Sequence, residues 1–135
     1  MSEEELIFEQ QLKTLMLALR VYTEGVKAIS LISESGLPIA TVVREGEKVN
    51  ENLIATLGSA ALATGGRINI ELTNGDLEKV IIQGKCGIFL VVECGSGALI
   101  ILFNKYMNLP QLVFKDIKII DEMRKKIAPI LMGSD

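Results

Sequence analysis

The chain has 135 residues, 49% apolar but only 4% aromatic, with 14 basic and 17 acidic side chains, a formal charge of −3 and no histidine. That length makes one domain, spanning 1–135, with a real core that must be built from Leu, Ile, Val and Ala. The mild negative charge argues against nucleic acid as the main partner, and no apolar run reaches the ~18 residues that direct membrane insertion needs.

The opening MSEEEL is acidic where a signal peptide would be basic. Ser2 and Glu5 make a capping-box pattern, and Phe8, Leu12, Leu15, Met16, Leu19 and Tyr22 follow at helical spacing until Glu24-Gly25 stops the run. The triplet Glu3-Glu4-Glu5 reads as carboxylates offsetting the helix dipole, not as a binding site. Two strands come next, Val26 to Ser33 and Leu37 to Val43, joined by Glu34-Ser35-Gly36 in a tight antiparallel hairpin. Pro38 has no N–H for a ladder, which places the second strand at an edge of the sheet.

Asn50 is positioned to cap a middle helix running towards Thr73. This helix has no clean polar face: Leu53, Ile54, Leu57, Leu62, Ile68, Ile70 and Leu72 go most of the way round. A helix apolar all round is buried on more than one side. Gly58, Ser59, Ala60, Ala61 and Ala63 would let another backbone come close. Gly65-Gly66 costs about 1 kcal/mol per glycine inside a helix, which marks a kink, a break or a close packing contact.

Thr73 to Asp76 (TNGD) is a turn signal, and three strands follow: Leu77 to Gln83, Ile88 to Glu93 and Ala98 to Phe103. The first alternates moderately, as an edge does, while the other two are almost wholly apolar, as strands covered on both faces are. Asn108 with Gln111 and Pro110 opens a final helix, whose stripe is Leu109, Leu112, Val113, Ile117, Ile120, Met123 and Ile127. Lys125 and Lys126 suit its C-terminal end, and Pro129 limits it. The order helix-strand-strand-helix-strand-strand-strand-helix predicts an α/β (α+β) sandwich: a five-stranded antiparallel sheet with helices on both faces.

Chemistry is hard to place on this chain. Without histidine there is no Ser-His or Cys-His nucleophile, and Cys86 and Cys94 alone cannot hold zinc. The two cysteines bracket one strand, about 26 Å apart if extended, against the ~7 Å that a disulfide spans. They read as free structural thiols in a reducing cytoplasm. Asp76, Asp116 and Asp121 are expected to be solvated charges. The run CGSGAL follows a strand but lacks the Lys and Ser/Thr of a phosphate loop, so it reads as a hairpin turn. Arg67 reads as a solvated or salt-bridged side chain rather than an arginine donated to a nucleotide. No catalytic residue, metal or cofactor is expected.

In this order VKAISLISESGLPIATVV, LGSAALATGGRI and DLEKVIIQGKCGIFLVVECGSGALIILF resemble the roadblock family, over about Leu12 to Ile127. These small proteins are related to one class of dynein light chains and to bacterial gliding-motility GTPase regulators. The most recognisable pieces are GLPIA, LEKVIIQG and GSGALIIL. Ser35 stands where the family often has an acidic residue before the turn glycine. The resemblance implies a roadblock, profilin-like fold with one helix on one face of the sheet and two on the other. It also implies a homodimer, or a heterodimer with a paralogous roadblock protein, whose middle helices lie side by side and whose third strands join edge to edge.

On that basis the dimer interface is expected at Leu57, Ala61, Leu62 and Gly65 of the middle helix and at Leu77, Lys79, Ile81 and Gln83 of the third strand. Such pairing would account for both the all-round apolar helix and the exposed edge. The implied function is a non-enzymatic dimeric module that binds and regulates or positions a small Ras-like GTPase. The alternative is a structural adaptor of a motor or membrane-platform complex with no effect on nucleotide hydrolysis. A ligand-sensing domain fits less well, because the interior lacks convergent polar groups. Helical position alone puts the GTPase-docking stripe at Asn52, Thr56, Ser59, Ala63 and Arg67.

Overall fold

Eight regular elements and a π-helical segment make up the computed structural model, which describes residues 2–20 and 25–132. They are α1 (Glu3–Arg20), β1 (Val26–Ile32), β2 (Pro38–Val43), α2 (Glu51–Glu71), β3 (Lys79–Gly84), β4 (Gly87–Cys94), β5 (Gly97–Asn104) and a final helix. That helix begins as α3 (Leu109–Gln111), passes through the π segment Leu112–Asp116 and continues as α4 (Ile117–Leu131). Tyr22 and Glu24, read from sequence as the end of α1, lie outside the described residues.

The strands form one sheet in the order β2-β1-β5-β4-β3, antiparallel throughout. Pro38 does fall on an edge strand, beside a register shift between Leu31 and Ile32. Alternation along each strand then divides the core in two. Leu99, Ile101 and Phe103 of β5 face α1 and α4, where they meet Phe8, Leu12, Leu15, Ile120 and Ile127. Ala98 and Ile100 face the other way, onto Ile54 and Ala55 of α2. Because β4 and β5 are covered on both sides, they read in sequence as unbroken apolar runs. One helix packs on one face and two on the other, as the resemblance implied.

Several details depart from the sequence reading. The middle helix does not break at Gly65-Gly66 but runs through to Glu71. Gly65 is needed for contact instead, since a Cβ there would stand 3.1 Å from Val80 Cγ2 and 3.2 Å from Leu77 Cδ2. Gly58 likewise lets α2 settle onto Ile100, whose Cδ1 would collide with any side chain. Leu77 precedes β3 rather than opening it. Pro129 lies inside the last helix, which ends two residues later at Leu131, consistent with proline limiting how far it runs.

Asp116 is not a solvated charge. It is fully buried at the end of the π segment, with Oδ2 3.5 Å from the Gln111 amide nitrogen and Oδ1 without a hydrogen-bond partner. Four residues from Leu112 and four from Ile120, Asp116 shares their inner stripe at the end of the π segment. Burial pushes its pKa up, and the Gln111 bond and Lys115 pull back.

Both cysteines are free, but only Cys94 is buried; Cys86 is exposed on the β3–β4 turn. Desolvation pushes the Cys94 thiol up to about 11, against the pull of Arg124. Cys86 is therefore expected to react with a thiol reagent at pH 8 in the native protein. Cys94 is expected to stay unmodified until denaturant is added. Counting thiols before and after unfolding checks this, and two fast-reacting thiols would contradict the packing of β4 against α4.

Candidate functional site

Among the described residues there is no group of three or more His, Cys, Asp or Glu side chains that could hold a metal ion. Nor is any helix long and apolar enough to cross a membrane. What distinguishes this molecule is a surface, formed by α2 and the free edge of β3.

Asn50 starts α2 as expected, its Oδ1 accepting from Leu53 N at 3.1 Å. Of its 21 residues only Ile54, Ala55 and Gly58 are buried. Leu57 (51%) and Ile68 (49%) stay half exposed, and Leu53 and Leu72 are more so. Strand β3 pairs only with β4, so its outer side meets no strand among the described residues. Along β3 the side chains alternate. Val80 packs with the α2 cluster, whereas Ile81 packs with the core under α1 and α4. Ile82 points to the α2 side and is 52% exposed.

Between them lies a groove of ≈ 580 Å³ whose walls include Leu57, Ala61, Gly65, Ile68, Ile82 and Phe89. It is an apolar trough directly beside an open sheet edge. A contiguous apolar surface of this kind is what partner-binding proteins expose.

Of the residues expected at an interface, Leu57, Ala61 and Gly65 line this groove. Leu62 is half buried against the sheet under α2, and Leu77 sits before β3, against Gly65. Lys79 and Gln83 share the alternation of Ile81, on the side away from the groove. Ile68, Val80, Ile82 and Phe89 were not anticipated. Period-two alternation counted from the buried face would have selected Val80 and Ile82, and the spacing 57, 61, 64, 68 would have selected Ile68.

The stripe Asn52, Thr56, Ser59, Ala63 and Arg67 lies together on a second side of α2. All but half-buried Ser59 are exposed. Ser59 marks the direction of the stripe, since a Cβ on Gly36 of the β1–β2 turn would stand 2.6 Å from its Oγ. Thr56 Oγ1 donates to the Asn52 carbonyl at 2.9 Å, and Arg67 Nη2 lies 4.0 Å from Glu71 Oε1. So exposed an ion pair contributes little, and Arg67 is free to move.

A family model described as the Roadblock/LC7 domain matches residues 12–104 of the chain. The sequence is 33% identical over 87 residues to the uncharacterized protein MJ0310 of Methanocaldococcus jannaschii, covering 64% of this chain and 75% of that one. In fold it is similar to the gliding protein MglB from Thermus thermophilus, with a TM-score of 0.79 at 16% identity over 99% of this chain and 95% of that one. It is also similar to an MglB solved in a tetrameric arrangement, with a TM-score of 0.75 at 16% identity over 97% and 94% of the two chains.

Proposed function

Since this chain belongs to the Roadblock/LC7 domain family, we propose that it works as a self-associating interaction module that binds and regulates or positions a small Ras-like GTPase. The observation that carries this reading is the apolar groove between α2 and the unpaired edge of β3. Leu57, Ile68 and Ile82 are each about half exposed. Finishing their burial would contribute about 1 kcal/mol apiece. An open, flat edge beside them is a liability that a second strand removes.

A second copy of the chain fits the site by symmetry. Antiparallel pairing of β3 with its twin is isologous, and it brings the two α2 helices together over one continuous sheet. A paralogous roadblock chain would satisfy the same geometry. The tetrameric MglB arrangement is in keeping with association among proteins of this fold. The whole of 1–135 acts as one domain in the cytoplasm, with no cofactor and no reaction of its own.

The GTPase docks on the paired helices through Asn52, Thr56, Ser59, Ala63 and Arg67. Any acceleration of hydrolysis comes from ordering the GTPase's own residues, because the stripe itself offers one exposed arginine and no carboxylate or imidazole.

Sedimentation tests both parts. The purified protein is expected to run as a dimer. Mixed with a Ras-like GTPase from the same organism, it is expected to bind the form loaded with a non-hydrolysable GTP analogue and to ignore the GDP form. A dimer that binds neither form supports the adaptor reading. A stable soluble monomer overturns self-association itself.

A further inference from the structure

The chain is acidic overall, but one corner of it is lined by lysines. Where β3 turns into β4 and β5 leads into α3, a recess of ≈ 270 Å³ is lined by Lys85 and Lys105, together with Gln83, Asn108, Gly84 and Gly87. No carboxylate lines it among the described residues. Lys115 and Lys118 follow on the exposed side of the adjoining helix, and the acid between them, Asp116, is buried. Glu93, the acid of β4, pairs with Ala98 at the far end of the strand.

The walls of this recess are fixed. Gly84 pairs with Gly87 to close the β3–β4 turn around Lys85, and a Cβ on Gly87 would stand 2.6 Å from the Phe103 carbonyl oxygen. The turn is thus pressed against the end of β5. On the opposite wall, Asn104 Oδ1 accepts from Tyr106 N at 2.9 Å, and Met107 N donates to the Asn104 carbonyl at 3.2 Å. Asn108 Oδ1 accepts from Gln111 N at 2.8 Å. Lys105 Nζ lies 5.4 Å from the centre of the Tyr106 ring, a contact that favours one placement of the ammonium.

Two lysines from separate turns therefore line one recess that has no carboxylate among the described residues. From these features we propose that the recess binds a phosphate monoester group, carried either by a soluble molecule or by a lipid headgroup. A phosphate dianion matches two lysines in charge and offers several acceptor oxygens to their donors. A single carboxylate would leave one lysine unmatched. This inference is independent of the GTPase reading. It touches the proposed self-association edge at Gln83 and Gly84, the end of β3.

The test uses the full-length protein labelled with ¹⁵N. Titration with inorganic phosphate is expected to give saturable shifts at the amides of Lys85, Cys86, Lys105 and Asn108, with no saturation in sodium chloride of equal ionic strength. The double substitution Lys85→Gln with Lys105→Gln alters two exposed side chains and is expected to weaken binding at least about tenfold. In parallel, the protein is spun with phosphatidylcholine vesicles with and without phosphatidic acid. Pelleting that requires phosphatidic acid and both lysines assigns the lipid source. Saturable shifts without pelleting assign a soluble phosphate ester. The proposal is overturned if neither probe binds, if the shifts fall elsewhere, or if the double variant binds as well as the parent.

Discussion

Ile82→Arg is expected to yield a folded monomer, whereas Ile81→Arg, one residue earlier on the same strand, is expected to unfold the chain or leave it insoluble. The two positions differ only in the face of the sheet to which they belong. Ile82 looks into the open groove beside α2, where an arginine can extend into water as long as no partner is seated. In an assembled pair the same arginine would be buried without a counter-charge, at a cost of roughly 2–5 kcal/mol. That is enough to dissociate most dimers at micromolar concentration. Ile81 packs on the core beneath α1 and α4, and a charge there costs about 2–4 kcal/mol of fold stability in the monomer itself. Sedimentation and thermal melting of both variants make the comparison. An Ile82→Arg protein that still dimerises would move the interface elsewhere, and equal melting temperatures for the two variants would refute the assignment of faces.

Asp116→Asn is expected to stabilise the protein at neutral pH. The carboxylate is fully buried, with one oxygen unpartnered and the other held by a single long bond to Gln111. Its pKa in the folded chain is raised, chiefly by desolvation. The folded state therefore holds its proton at pH values where the unfolded state has released it. With more protons bound when folded, stability falls as pH rises from the unfolded value, near 4, through the folded value, and the penalty then persists to neutrality. Removing the charge should restore roughly 1–3 kcal/mol at pH 7, the usual cost of an unsatisfied buried polar group. Below pH 4 the variant and parent should converge. Denaturant titrations at pH 4 and pH 7 give the answer. A loss of stability at pH 7 would mean that the charged form has a partner worth keeping.

Asp116 also shows where sequence reading stops. At α-helical spacing Asp116 falls four residues after Leu112 and four before Ile120, inside the apolar stripe, and only its residue type suggests a solvated charge. Nor do the residue types of LVFKD announce the π widening that the helix adopts there. The sheet was far more legible. Pro38 marked one edge, the moderate alternation of β3 marked the other, and the unbroken runs of β4 and β5 marked the doubly covered centre. Helix α2 was legible as a helix with too few polar residues. The pair Gly65-Gly66 was ambiguous, because a glycine that breaks a helix and a glycine that admits a neighbour look identical in sequence. The groove needed tertiary information in the same way. Ile81 and Ile82 are chemically equal in sequence, and which one faces α2 follows only once one face of the strand has been tied to the core.

The unequal division of the core has a consequence for how the molecule breathes. On one face, two helices bury long stripes against the sheet. On the other, α2 buries only Ile54, Ala55 and Gly58 fully and otherwise rests on half-buried Ala61, Leu62 and Gly65. In an isolated chain α2 should be the first layer to lift, and its amide hydrogens should exchange through local openings well below the energy of global unfolding. A partner that binds only the closed form suppresses those openings by mass action. If α2 is the surface of self-association, as proposed, its order would depend on protein concentration, and dilution alone would loosen it before it disturbs the sheet.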